Sequence, residues 1–317
     1  MFSGWYYRTG FRSVLHFGGV SVLRTRSHQC SNDYSCLTCS DNDLKAIAQR
    51  IRELILTTVS NAGAGHPGGS LSAVEILTSL YFHELRIDPT RVDQPERDRF
   101  ILSKGHASSA LYATLAERGF ISSDLLSTFG KINSILQVHP DMHKVPGVEI
   151  STGALGLGLS VGVGMALAAK EDYLDKPGKS GVRVYVLLGD GECQEGVVWE
   201  AAMAAAHYKL DNLVAIVDYN RVQLYGPVAE IMEVAPLADK WRSFGWAVRE
   251  TQGHDIGALC SCFEEARRIK GQPTVIIAHT VKGKGVSFME GKAAWHGRTP
   301  NREELKLALE EVRTCNQ

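Results

Sequence analysis

VRVYVLLGDGECQEGVVWEAAMAAAHYKLDNLVAIVDYN, residues 182–220, decides the fold. Val182 to Leu188 is an apolar run, interrupted by Arg183, and reads as a buried strand. Glu195 to Lys209 is rich in alanine and other good helix formers. Asn212 to Asp218 reads as a second buried strand. The three pieces make one β-α-β unit, so Asp190 and Asn220 fall at the carboxyl ends of two parallel strands. Ligands of open α/β sheets bind in the crevice outside those ends. A carboxylate and an amide oxygen meeting there suit a hard cation such as magnesium, calcium or manganese. Gly189 and Gly191 let the backbone approach a phosphate, and the following helix N-terminus favours an anion. On its own, Gly-Asp-Gly is an ordinary strand-to-helix turn. The matched Asn220 turns the reading toward a metal-diphosphate site. An unpartnered carboxylate at a buried strand end costs several kcal/mol, so Asp190 needs a cation or a donor.

Around this unit, strand and helix patterns alternate. Asp41 is placed to cap a helix running to about Ser60, with Ile47, Ile51, Leu54 and Ile55 as its apolar stripe. Gly63 to Gly69 is a loop, and Ser70 opens a helix through Phe82. Phe100 to Leu102 is a short strand, and Ala107 to Gly119 a helix. Ala154 to Ala169 is apolar on every side, which predicts a helix buried all round or packed between subunits. Trp241 to Trp246 and Thr274 to Thr280 suggest a further helix and strand. Val281 to Gly285 reads as a solvated basic turn, unlike a P-loop. Asn301 to Val312 forms a terminal helix. The expected fold is α/β, a mostly parallel twisted sheet with helices on both faces. Its divisions are a leader over 1–40, one domain over 41–300 and a C-terminal helix over 301–317.

The 317 residues hold 34 Lys plus Arg against 35 Asp plus Glu, so global charge gives no sign of a nucleic-acid or membrane partner. No apolar stretch reaches the roughly 20 residues of a membrane span. The seven cysteines have no framework spacing. Cys30, Cys36 and Cys39 cluster in the leader without an obvious fourth zinc ligand. Cys193 reads as a small packing residue. Arg8, Arg12, Arg24 and Arg26 against the single acid Asp33 are compatible with a mitochondrial targeting segment. They are equally compatible with a disordered extension or a misplaced start codon. The expected location is cytoplasmic, with mitochondrial as the alternative.

His66, His106, His139 and His296 share a setting, each beside Gly or Pro in a predicted loop. One such histidine is usually structural. Four of them point to groups that donate to alkoxides or shuttle protons near neutral pH. There is no His-Glu-x-x-His run and no nucleophile elbow.

Gly65-His66-Pro67-Gly68-Gly69-Ser70, Ser103-Lys104-Gly105-His106, Pro146-Gly147-Val148-Glu149, Gly189-Asp190-Gly191-Glu192 and Trp295-His296-Gly297, in this order, resemble transketolase, a thiamine diphosphate enzyme family, from about residue 42 to 300. The resemblance implies that Asp190, Asn220 and the Val222 carbonyl bind the metal. It implies that Gly189, Gly191 and Glu192 line the cofactor, and that Gly153 and Leu155 pack on its pyrimidine. Glu195 would join a carboxylate network between active sites. His66 and His106 would line the diphosphate and substrate channel, His139 would meet the substrate hydroxyl, and His296 would assist proton transfer or hold the sugar. The implied activity passes a two-carbon ketol unit from a ketose, or its phosphate, to an aldose through a thiamine diphosphate enamine.

Two departures bear on that activity. The chain ends where the family's diphosphate-binding domain ends, so the pyrimidine-binding domain with its essential glutamate would lie on a partner subunit. Two copies of each subunit are expected. Ala154 stands where many members have Pro, and a longer loop follows Asp141, which leaves the ketose open. The alternatives are the α subunit of a 2-oxoacid dehydrogenase first component, a deoxyxylulose-phosphate synthase-like enzyme, and a non-catalytic thiamine diphosphate-binding protein. An isolated chain is expected to show a large apolar surface.

Overall fold

The computed structural model describes residues 40–174 and 181–314. The predicted leader, with Cys30, Cys36 and Cys39 and the targeting reading, lies outside the described residues apart from Ser40. Five strands form the sheet: β1 (Arg99–Leu102), β2 (Val184–Gly189), β3 (Leu213–Tyr219), β4 (Ala247–Gln252) and β5 (Thr274–His279). Their spatial order is β1-β2-β3-β5-β4, and every pairing is parallel. The helices are α1 (Asp41–Ala62), α2 (Pro67–Leu71), α3 (Val74–Ser79), α4 (Ser108–Arg118), α5 (Leu157–Ala169), α6 (Gly196–His207), α7 (Val228–Ile231), α8 (Leu237–Ser243), α9 (Ile256–Arg268) and α10 (Arg302–Thr314).

The strands separate two apolar cores. Phe100, Leu102, Tyr185, Leu187, Val214, Ile216 and Ile276 pack with residues of α1, α3, α4 and α9. Ile101, Val184, Val186, Leu188, Ala215, Val217 and Ile277 pack with α5, α6 and α8. Successive side chains on a strand point to opposite faces, so a sheet covered on both sides needs apolar residues at every position. That is why the two central strands are legible as continuous apolar runs. Each fully buried Leu, Ile or Val contributes about 1.5–3 kcal/mol. The register pairs Gly189 with Asp218, which brings Asp190 and Asn220 out at the same end of the sheet.

Several expectations are corrected. Ser40, not Asp41, caps α1, in a reciprocal capping box with Asp43. The helix expected over Ser70 to Phe82 is three pieces: α2, α3 and a π-helical turn over Leu80–Glu84. Between α2 and α3, the Ser72 hydroxyl lies 3.2 Å from the Gly69 carbonyl and donates to Asp218 Oδ2 at 2.5 Å. β4 and α9 are further elements of the fold. α10 lies on α1, with Ala308 and Val312 in the same core and Arg313 Nη2 2.7 Å from Glu53.

α5 begins at Leu157 after Gly156, whose φ of +85° is left-handed. It is not buried all round. One side presses on the sheet, while Leu157 is 51% exposed and Gly164 and Ala168 are exposed on the other. Nothing among the described residues covers that side. The buried side depends on missing side chains: a Cβ on Gly158 would lie 2.7 Å from Ser103 Cα. Gly158→Ala is therefore expected to destabilise the chain by about 2–3 kcal/mol, because backbone cannot yield as a side chain can. Gly164→Ala, with nothing within 4 Å, should be neutral or stabilising by up to about 1 kcal/mol. Urea denaturation of both variants checks the pair; equal effects would place the helix wrongly.

Candidate functional site

The carboxyl ends of the strands carry nearly every polar side chain singled out in the sequence. Asp190 follows β2 and is 3% exposed. Its Oδ1 accepts from the Gly191 amide at 2.8 Å, and its Oδ2 from the Arg221 amide. Arg221 adopts φ +63°, a strained value for a residue with a side chain, and this curls residues 220–222 around Asp190. Asn220 Nδ2 donates to Asp218 Oδ2 at 3.2 Å, and its Oδ1 accepts from the Val222 amide at 3.1 Å. Asp190, Asn220 and Val222 thus belong to one hydrogen-bonded turn.

That turn fits a cation. Burial and then the neighbouring Asp218 push the Asp190 carboxyl up to about 6, against the pull of two backbone amides. A positive ion would reverse this. Among the described residues no three His, Cys, Asp or Glu side chains gather as metal ligands. The ion would therefore rest on one carboxylate, an amide oxygen and a carbonyl, a set suited to a hard cation that keeps other oxygens around it.

The four histidines come together from four separate loops. His66 and His106 have ring centroids 5.3 Å apart, His66 and His296 5.3 Å, and His106 and His296 5.0 Å. His139 stands 6.4 Å from His66. Gly153 lies against His139, where a Cβ would fall 3.3 Å from the ring. Leu155 is 37% exposed beside this cleft segment. Burial pushes His66, His106 and His296 below their ordinary values; His139 adds to the effect on His66, Lys104 on His106 and Lys282 on His296. His296 falls to about 3. These three imidazoles are neutral near pH 7. The Nδ1 of His66 is buried without a partner among the described residues.

Two lysines to which the sequence assigns no role border the imidazoles. Lys282 was expected on a solvated turn but is 2% exposed. Its Nζ donates to the Val222 carbonyl at 3.0 Å and to His296 Nδ1 at 3.0 Å. An ammonium has only protons to give, so His296 carries its own proton on Nε2. Burial, then Lys104, pushes Lys282 down to about 8. The loop is buried because Gly283 donates to the Gly68 carbonyl at 2.9 Å, which draws it beneath the His66 loop. Lys104 is 2% exposed and paired with the fully buried Asp218. Asp218 also accepts from Ser72 and Thr280. Burial works to raise this carboxyl; Lys104 and the hydroxyls outweigh it and hold it ionised. The signal for Lys282 was a lysine just beyond a strand end with glycines after it.

The Glu192 side chain turns into the fold. Its carboxylate accepts from Ser103 Oγ, the Gly156 amide at 2.7 Å and the Gly189 amide at 3.0 Å. It ties β1, β2 and the start of α5 rather than facing the cleft. Gly191 is backed by Gln223, 3.1 Å from where a Cβ would sit. Glu195 is exposed at the first turn of α6, beside Gly156. Cys193 is a buried packing residue. Neutral imidazoles, two buried ammoniums and an oxygen-lined turn make the cleft attractive to a polyanion with a divalent cation.

Comparisons with known proteins place the chain in a family. The family described as "Transketolase, thiamine diphosphate binding domain" matches residues 43–313. The chain is 46% identical over 269 residues to one of the subunits of the apulose-4-phosphate transketolase of Phocaeicola vulgatus, covering 85% of this chain and 93% of that one. It is 45% identical over 270 residues to 6-deoxy-6-sulfo-D-fructose transketolase subunit SqwG of a Clostridium species, covering 85% and 96%. The solved transketolase of Leishmania mexicana superposes with a TM-score of 0.82 at 29% identity. That match covers 86% of this chain but only 42% of the solved one. The chain thus spans nearly the whole of the subunit relatives and under half of the solved enzyme.

Proposed function

The chain belongs to the transketolase family, and we propose that it is the N-terminal, diphosphate-binding subunit of a two-chain transketolase. It would work with a C-terminal, pyrimidine-domain subunit, two copies of each. The observation that carries this reading is the cleft itself, where three neutral imidazoles and Lys282 adjoin the Asp190 turn. The subunit names of the relatives support the division into two chains. Their names also specify a sugar phosphate and a sulfonated sugar, so we assign sugars or sugar phosphates as substrates.

The chemistry of carbon–carbon cleavage and two-carbon transfer is supplied by thiamine diphosphate when bound. Asp190, Asn220 and the Val222 carbonyl would hold magnesium, calcium or manganese. Gly189 and Gly191 would let backbone close on the phosphates, and Lys282 would neutralise charge there. Gly153 and Leu155 would support the pyrimidine. His66, His106 and His296, as neutral N–H donors, would steady oxygen atoms that gain charge as substrate bonds break. His139 would meet the substrate hydroxyl. Glu195, exposed at its helix start, would reach the carboxylates of a second site.

The test is a two-carbon transfer assay from ketose to aldose, with thiamine diphosphate and magnesium. Transfer should be absent with this chain alone and present when a C-terminal transketolase subunit is added. Turnover by this chain alone would overturn the division of labour. Silence of the mixture with cofactor bound would overturn the activity.

No helix among the described residues is long and apolar enough to cross a bilayer.

A further inference from the structure

Outside the cleft, three side chains form a chain of contacts that ends on the loop carrying Lys282. Arg52 in α1 donates from Nη2 to Glu75 Oε1 at 2.5 Å and from Nε to the Lys284 carbonyl at 3.1 Å. Glu75 in α3 meets His254 Nδ1 at 2.8 Å through its other oxygen. His254, in the turn between β4 and α9, meets the Val281 amide at Nε2, 2.8 Å. A backbone amide can only donate, so Nε2 is the bare nitrogen. Nδ1 then carries the proton and donates to Glu75. Burial works to raise the Glu75 carboxyl, but Arg52 and His254 outweigh it and keep it below the usual range. An ionised carboxylate behind an imidazole fixes its tautomer and makes the far nitrogen a better acceptor.

The loop needs such support. Gly283 and Gly285 have left-handed φ of +77° and +91°, and glycine, lacking a Cβ, holds such a conformation only weakly by itself. Arg52 also fills the space beside Gly285, where a Cβ would fall 2.9 Å from its Cδ. The hydrogen bonds of Arg52, Glu75 and His254 run to one another and to loop backbone, and that loop meets the cleft through the Lys282 ammonium and through Gly283 on the Gly68 carbonyl.

We propose that Arg52, Glu75 and His254 are a positioning unit for Lys282, gripping the peptide on both sides of it so that its ammonium is aimed into the cleft. This rests on reading Lys282 as a ligand of the cofactor's diphosphate. His254 is a positioning residue and makes no contact with substrate.

The first arm of the test is nitrogen NMR of the whole chain. His254 should show the Nδ1–H tautomer, with a coupling across the hydrogen bond from the Val281 amide to Nε2. An Nε2–H tautomer would overturn the proposal. The second arm is calorimetric titration with magnesium pyrophosphate. His254→Leu should weaken binding roughly tenfold. His254→Gln should stay within about threefold of the parent, since its side-chain oxygen can accept the same amide. In a Lys282→Met background, His254→Leu should change binding by less than about twofold, because the residue through which it acts is gone. Equal losses in both backgrounds would mean a general structural role and overturn the proposal. Failure of the parent to bind pyrophosphate would instead remove the diphosphate reading of Lys282. The amide resonances of residues 281–285 in His254→Leu would then still decide the positioning claim: unchanged resonances would sink it.

Discussion

Asp190→Asn should abolish magnesium-dependent binding of pyrophosphate while leaving the metal-free protein at least as stable as the parent at neutral pH. The Asp190 carboxyl is pushed up to about 6, by burial first and Asp218 second. Its folded value lies above the ordinary 3.8, so the folded state holds this proton more tightly than the unfolded chain does. The stabilisation is present below pH 3.8 and is lost as pH rises through about 6. Above that, the ionised group opposes folding by about 3 kcal/mol, at 1.36 kcal/mol per pH unit. Asparagine removes the penalty and gives back about 1 kcal/mol, because it cannot accept from both the Gly191 and Arg221 amides as the carboxylate does. The metal reverses the preference, since a cation stabilises the ionised form. Losing the only charged ligand should weaken metal-dependent binding by at least about 100-fold. Urea denaturation of both proteins in chelator from pH 4 to 8, with calorimetry in magnesium, measures both halves. Unchanged metal-dependent binding would remove Asp190 from the metal turn. A stability difference that does not vary between pH 4 and 6 would mean that the carboxyl is not shifted.

Lys282→Met should show the same exchange of function for stability with the opposite charge. Lys282 is pushed down to about 8 by burial and by Lys104. A lowered lysine means that the unfolded chain binds the proton more tightly. Below pH 8 the folded protein carries the buried charge at a cost of about 3 kcal/mol, and this cost disappears as pH rises from 8 toward 10.5. Methionine fills a similar volume without charge. The variant should gain about 1 kcal/mol at pH 7, after the loss of the hydrogen bonds to the Val222 carbonyl and to His296 Nδ1. Its advantage over the parent should shrink between pH 8 and 10.5. Pyrophosphate affinity should fall roughly 30- to 100-fold, the contribution of a desolvated, charge-assisted hydrogen bond. Paired denaturation and titration curves give both numbers. A less stable variant at pH 7 would show that the ammonium is not a burden to the fold, and unaltered pyrophosphate binding would take Lys282 out of the site. Groups that weaken the fold where they serve a ligand are usual at binding sites.

The sheet was legible because its two central strands are apolar on both faces. The ends of β2 and β3 moved by only one or two residues from the runs seen in the sequence. β4 was harder, since Arg249, Glu250 and Gln252 mark an edge strand with little to bury. α5 has an apolar composition on all sides, yet composition cannot tell a face buried in this chain from one left bare by it. The histidines were recognisable singly by their Gly and Pro neighbours, and their convergence within one cleft is a matter of tertiary structure. Lys282 misled for a related reason: a lysine among glycines is usually solvated, and only the docking of residue 283 on Gly68 puts it inside. Glu192 sits in the expected motif, but the turn after β2 directs its carboxylate back to Ser103 and Gly156.

Asp218 accepts from Ser72, Lys104, Asn220 and Thr280, which stand after α2, β1, β3 and β5. Four loops that are far apart in the chain share one carboxylate. Groups tied to a common partner do not respond independently to substitution. Losing Lys104 alone strands a buried negative charge, and losing Asp218 alone strands a buried ammonium. Descent with modification at these positions is therefore constrained as a block: a neutral path must change several loops together, and intermediates with one member altered are the ones selection removes.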